Sequence, residues 1–368
     1  MNVTSQRDGV SGRPRRKSWV KAASVGAVVL TATAMAACSS TATTSSAKAS
    51  AKLKPDAPFK VGVSLTLNNT DFWTSYIGYE KKSADKYKAQ LIGPVVANGD
   101  AGKQLTDIRT LIAQGAQALI VNPVDSDAIA PALDFAASKG IPVVSVDVAP
   151  TTGKVFAIVR ANNELYGQKA CKYIGTHVQT GSVAQLQGDL ASLNGRDRSN
   201  AFSKCMKDSY PALKVINYPT KWNSATATNA ASTALSSVAD LKAIYTQWSG
   251  PVAGILQAAK SVGRSAPVGD PKHVVLVSND GVPFELQDIK AGLMDATISQ
   301  PADQYAQYSV LYARQALEGK AYKAAGSTGH DSGNFVTVFG NLEDPIKAPL
   351  VTKKNAGDPN LWGNQAAK

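Results

Sequence analysis

The 368 residues carry a formal net charge of +12, from 39 Lys and Arg against 27 Asp and Glu; residues 1–37 hold six of the basic side chains and one acid, leaving +7 for the rest. Those charges are scattered, with no basic run interleaved with aromatics, so the electrostatic footprint of a nucleic-acid binder is missing. The three histidines, His177, His273 and His330, have no partner at metal-ligand spacing, and no phosphate-cradling glycine loop, GxSxG or HExxH occurs. The chain offers no enzyme signature, and neither a cofactor nor a metal is expected.

The chain opens with Arg13, Arg15, Arg16, Lys17 and Lys21, then an apolar stretch from Val25 to Met35 that ends in Ala36-Ala37-Cys38. A bilayer span takes about 20 apolar residues, so this stretch reads as a cleavable export signal over 1–37 rather than an anchor. Met35-Ala36-Ala37-Cys38 resembles a bacterial lipobox, in which the thiol is acylated and becomes the mature terminus. Cys38 is therefore expected to anchor the protein to the membrane at the outer face of the bacterial cell. Both the general route and twin-arginine export are compatible with the leader. Residues 38–57 are nearly all Ser, Thr, Ala and Lys and cannot bury enough apolar surface to fold, which predicts a flexible tether.

The remaining body of about 310 residues exceeds what one core usually supports, so two domains are expected. Strand-like runs at Phe59 to Leu65, Gln90 to Val96, Ala118 to Val121 and Pro142 to Val146 alternate with helical stretches at Phe72 to Tyr87, Lys103 to Ala113 and Ala128 to Ser138. After Val155 to Val159 the pattern restarts with helices Glu164 to Val178, Gly195 to Asp208, Ala225 to Ser237 and Val252 to Val262. Between and after them come strands Ser182 to Leu186, Lys214 to Tyr218, Ala243 to Tyr245 and His273 to Ser278. Such alternation predicts an α/β protein of two doubly wound parallel-sheet lobes joined by a hinge. Cys171 and Cys205 are either a disulfide or two small buried hydrophobes, and an oxidising compartment favours the pair.

In doubly wound sheets ligands bind beyond the carboxyl ends of the strands. A polar residue ends strand after strand: Asn122, Asp147, Gln187, Asn279-Asp280 and Gln300. Singly, each is a common loop residue; together they favour one shared site. Phe72-Trp73, Trp222 and Trp248 also follow strands. Singly, a loop Trp is as often simple packing; three at strand mouths supply the flat apolar faces that a sugar or polyol presents its C–H groups to.

Asn122-Pro123-Val124-Asp125-Ser126-Asp127-Ala128, Ile141-Pro142-Val143 before Asp147, Arg196-Asp197-Arg198 before Phe202, Asp280-Gly281, and Ala296-Thr297-Ile298-Ser299-Gln300 with Asp303-Gln304 occur in the order seen in ribose-binding-type periplasmic proteins. The resemblance covers about residues 58 to 320. It implies a two-lobed clamp that captures a small sugar or polyol by hinge closure and hands it to the permease of an ATP-driven (ABC) importer, the protein acting as a monomer. Sugar-responsive repressors share the fold, but the place of their DNA-binding segment is taken here by leader and tether. A receptor that docks on a signalling protein is the alternative, and an exported enzyme on the same scaffold would lack a nucleophile, base and metal set.

Position by position, the resemblance implies ligand contacts from Phe72, Trp73, Asn122, Asp147, Arg198, Trp222, Asp280 and Gln300. Trp248 aligns with an Asn of ribose binders and Val148 with an Arg. The loop before Phe72 is one residue longer, so Asn69, Thr70 and Asp71 all compete for a contact, with Asp71 taken as the candidate. The lobes are expected to comprise 58–161 with 301–329, and 162–300 with 330–368, with crossings near Ala161, Gln300 and Gly329. Asp280 and Arg198 are expected to serve the ligand and not the core.

Overall fold

The computed structural model describes residues 52–330 and 333–366. Cys38, the leader and the tether through residue 51 lie outside the described residues. The first half runs β1 (Phe59–Leu65), α1 (Asp71–Tyr87), β2 (Ala89–Val96), α2 (Ala101–Ala113), β3 (Ala118–Val121), α3 (Ala130–Ser138), β4 (Val143–Val146) and β5 (Ala157–Ala161). The second runs α4 (Asn163–His177), β6 (Gly181–Gln187), α5 (Leu193–Ser209), β7 (Leu213–Pro219), α6 (Ser224–Ser237), β8 (Leu241–Thr246), α7 (Val252–Ser261), β9 (Val275–Asp280), α8 (Pro283–Ala291) and β10 (Ala296–Ser299). Then follow α9 (Ala302–Leu317), β11 (Val336–Val338), β12 (Asn341–Ile346), β13 (Leu350–Thr352) and α10 (Trp362–Gln365).

Two sheets form, with strand orders β11-β12-β5-β4-β3-β1-β2 and β13-β10-β9-β8-β6-β7. Every pairing is parallel except β11 with β12 and β13 with β10. The inner strands are apolar nearly end to end and buried throughout, as in Ala-Leu-Ile-Val of β3 and Val-Val-Ser-Val of β4, because helices cover both sheet faces. One outer face of the first sheet packs on α2 and α3 through Ile108, Leu111, Leu119 and Leu133, and one outer face of the second on α6, α7 and α8 through Leu235, Ile255 and Leu286. The remaining faces share one buried cluster that runs from Phe59, Tyr76 and Val159 in the first lobe to Ile174, Phe202 and Tyr245 in the second.

One expected boundary is corrected. Residues 330–368 are expected in the second lobe, but β12 pairs with β5 and carries β11 with it, so Val336–Ile346 extends the first sheet. The third crossing accordingly falls between Ile346 and Leu350 instead of near Gly329. Asn341-Leu342-Glu343-Asp344-Pro345-Ile346 hides as a strand because it has no apolar run and contains a proline. The other crossings lie between β5 and α4 and between β10 and α9.

Cys171 and Cys205 form a disulfide with Cα atoms 6.1 Å apart, joining α4 to α5 across 34 residues. Among the described residues, no helix is long and apolar enough to cross a membrane.

Candidate functional site

The carboxyl ends of both sheets face one another, and between them lies a cavity of about 60 Å³. Its walls include Thr70, Phe72, Trp73, Asn122, Asp147 and Val148 from the first lobe, and Asn194, Arg198, Trp222, Trp248, Asp280 and Gln300 from the second. Nine of the ten residues singled out as ligand contacts therefore meet at one place. Asp71 does not. It begins α1 with an exposed side chain, and Thr70, whose hydroxyl accepts from Trp73 N to cap the helix, takes the position at the cavity wall. In an N-capped helix start the cap residue folds back over the first turn while the next residue points outward.

The backbone at these strand ends is unusual. Asp147 (φ 64°), Trp222 (φ 57°) and Asp280 (φ 104°) all lie in the left-handed region, which costs energy for non-glycine residues and is tolerated best by Asp and Asn. Gly188 explains how Trp222 fits: a Cβ there would lie 2.1 Å from the indole. Trp222 and Trp248 meet edge to face at 5.3 Å, as do Phe72 and Trp73 at 5.1 Å, so two aromatic pairs face the cavity from opposite lobes. Arg198 lies 5.7 Å from the Trp222 ring and 4.6 Å from Tyr166, held as a cation over π faces.

Asp147 is the junction of the cleft. Its Oδ1 accepts from Asn194 Nδ2 and Gln300 Nε2, each at 3.0 Å and each from the opposite lobe, and its Oδ2 accepts from Asn122 Nδ2 at 3.2 Å. Burial pushes the Asp147 carboxyl up to about 6, opposed by the guanidiniums of Arg198 and Arg160, with the Asp280 charge adding to the rise. Asp280 is likewise pushed up by burial, against Arg198 and against donation by Ser249, whose N and Oγ reach its Oδ2 at 2.8 and 2.7 Å. Arg198 donates to Asn163 Oδ1 and Gln300 Oε1, both at 2.6 Å, and to Gln247 O. Asn122 spends its side chain on the protein: besides Asp147 it reaches Val146 O and accepts from Thr66 N. It lines the site and positions Asp147.

Two residues that strand-end reasoning missed are central. Asn194 lies on the first turn of α5, away from any strand end, and Arg160, on β5 behind the cavity, donates to Asn194 Oδ1 at 3.0 Å and pairs with Asp197. Together with Leu193 N donating to Ser126 Oγ at 2.9 Å, these contacts hold the lobes against one another.

What the arrangement can do is bind a small polyhydroxylated molecule. Two carboxylates from opposite lobes accept hydroxyl donors, a guanidinium and an amide donate, and aromatic faces cover C–H groups. No cluster of three or more metal-ligating side chains occurs among the described residues.

Comparison with known proteins agrees with this geometry. The ribose import binding protein of Salmonella typhimurium is 29% identical over 278 residues, covering 75% of this chain and 91% of that protein. The xylitol-binding protein of Mycolicibacterium smegmatis is 29% identical over 225 residues, covering 60% and 62% respectively. A solved ABC transporter solute-binding protein from Mycobacterium smegmatis with bound glycerol superposes with a TM-score of 0.69 at 25% identity, covering 82% of this chain and 96% of that one. Residues 61–321, well over half of the chain, match the periplasmic binding protein domain model, and with its two hinged α/β lobes the chain belongs to the periplasmic binding protein family.

Proposed function

We propose that this protein is the solute-binding component of an ABC importer, exported and lipid-anchored through Cys38, that captures a small sugar or polyol between its lobes and presents it to a membrane permease. The observation that carries the reading is the cavity in which Asp147 and Asp280, one from each lobe, converge with Arg198, Trp222 and Trp248. A ligand bridging the two carboxylates would couple capture to hinge closure. Hydrogen bonds to charged groups contribute about 1.5 to 3 kcal/mol each, so a few of them with aromatic contact reach the roughly 8 kcal/mol of micromolar binding.

The ligand is expected to differ from ribose. Val148 and Trp248 are buried at the cavity wall, at positions where the resemblance to ribose binders implies a guanidinium and an amide. The pocket thereby loses donors and gains an apolar wall. Hydroxyls matched to the missing groups would be left unpaired at about 1 to 3 kcal/mol each. Binding of xylitol by one relative and of glycerol by another supports a polyol. Calorimetry with pentoses, hexoses and alditols tests this: ribose should bind at least about tenfold more weakly than the best member of the panel, and ribose emerging as the tightest binder would overturn it. For the anchor, Cys38→Ala should leave the protein in the soluble fraction; a variant that still sediments with membranes removes the lipoprotein reading.

A further inference from the structure

The C-terminal element lies outside the cavity yet touches its wall at two points. Trp362, 2% exposed, donates from Nε1 to the backbone oxygen of Asp280 at 3.0 Å. Its ring packs edge to face on Phe72 at 5.9 Å, and its own carbonyl accepts from Tyr79 Oη at 3.1 Å. Asp280 belongs to the second lobe, whereas Phe72 and Tyr79 are on α1 of the first.

The element is fixed to the second lobe. Leu361 is buried in that lobe's outer cluster, and Asn364 Nδ2 donates to Ala356 O and Asp358 O at 3.0 and 2.8 Å. Gly363 lets α10 approach the turn after β9: a Cβ there would lie 2.2 Å from Gly281 O. Thus the Trp362 indole holds the strained backbone of a cavity carboxylate and packs on a cavity aromatic of the opposite lobe, while its backbone carbonyl accepts one hydrogen bond from that lobe.

We propose that Trp362 is a positioning residue of the ligand site: it fixes the Asp280 turn and seats Phe72, and its bond to Tyr79 makes the C-terminal segment a strap that stabilises the closed clamp. The assignment rests on the cleft being the ligand site, and it sets affinity through the rate of opening.

The test uses the full mature chain with spin labels on Ser138→Cys in α3 and Ser236→Cys in α6, both exposed and on opposite lobes. Pulsed electron resonance reads the interlobe distance distribution, and stopped-flow fluorescence reads dissociation of xylitol and ribose as probes. Trp362→Phe keeps an aromatic ring and removes the donor to Asp280; Tyr79→Phe removes only the bond between the lobes. Tyr79→Phe should lower the closed-to-open ratio about three- to tenfold, the loss of one neutral hydrogen bond between the lobes, and raise koff by a similar factor with kon little changed; Trp362→Phe should act in the same direction through the released Asp280 turn and the smaller ring face it offers Phe72. Gly363→Ala should do the same by lifting α10 off Gly281. Distance distributions in Trp362→Phe and Tyr79→Phe that match the parent overturn the proposal, as does a fall in melting temperature with neither distribution nor koff altered. Failure of every pentose, hexose and alditol of the panel to bind the parent would count against the ligand reading, while the distance distributions would still decide the role of Trp362.

Discussion

At the scale of single residues, the cavity charges are embedded in the protein as well as presented to a ligand. The family resemblance implies that Arg198 is a ligand group, and its loss is expected to spare the fold. In the structure it is 3% exposed and serves Asn163, Gln247 and Gln300 at once, so its removal strands three buried acceptors beside the carboxylates of Asp147 and Asp280. Arg198→Ala is therefore expected to abolish sugar binding and also to lower unfolding free energy by about 3 kcal/mol or more. Urea denaturation of the ligand-free variant checks this, and an unchanged midpoint would mean the guanidinium is replaceable by water. Asp147 carries a different prediction. A carboxylate accepts ligand hydroxyls most strongly when ionised, and burial raises this one to about 6. Affinity should therefore weaken as pH falls through about 6, approaching tenfold per pH unit on the acid side. A Kd that stays constant between pH 7.5 and 5 in calorimetry would show that Asp147 is not the titrating contact.

At the scale of elements, the strand and helix alternation was legible because its apolar periods are clean, and the site was legible where Asn122, Asp147, Asp280 and Gln300 end strands, whereas Gln187 and Asn279 also end strands but do not line the cavity. What escaped had no such signal. Which residue of the Asn69-Thr70-Asp71 loop faces inward depends on the cap of α1; Asn194 and Trp362 come from helix starts; β12 is disguised by Glu343, Asp344 and Pro345. The helices carry their own energetics. The disulfide between α4 and α5 closes a 34-residue loop, worth about 3 to 4 kcal/mol in the chain-entropy model, so Cys171→Ala with Cys205→Ala should lower the melting temperature by several degrees without altering Kd. A shifted Kd would tie the bond to the site. On α1, Glu80 is fully buried with Tyr76 Oη donating to its Oε1 at 3.0 Å, and burial pushes its carboxyl up to about 8. Because the folded value lies above the ordinary one, its contribution is fully present below the usual carboxylate range and is lost as pH rises through 8. Glu80→Gln should match the parent's melting temperature near pH 4 and exceed it by a few degrees at pH 9. Equal curves at both pH values would place Glu80 in contact with solvent.

At the scale of the whole molecule, two lobes that each own a sheet could unfold separately, and proteins of several domains commonly do. Three features oppose that here. The largest buried cluster is continuous from Phe59 and Val159 to Ile174 and Tyr245. The chain passes between the lobes three times, the last crossing returning Leu350–Thr352 to the second sheet only after β12 has completed the first, so neither lobe is built from one contiguous segment. Arg160, 4% exposed, is held by Glu343 within its own lobe and by Asn194 and Asp197 across the cleft, and unfolding either lobe alone would leave that charge buried and short of partners. The prediction is a single calorimetric transition for the ligand-free protein, with calorimetric and van't Hoff enthalpies in agreement. A ligand at about 100 times its Kd should move that transition upward as one, corresponding to about 2.7 kcal/mol. Two resolved transitions, with only one of them shifted by the ligand, would show instead that the lobes are energetically independent and that closure is carried by the ligand alone.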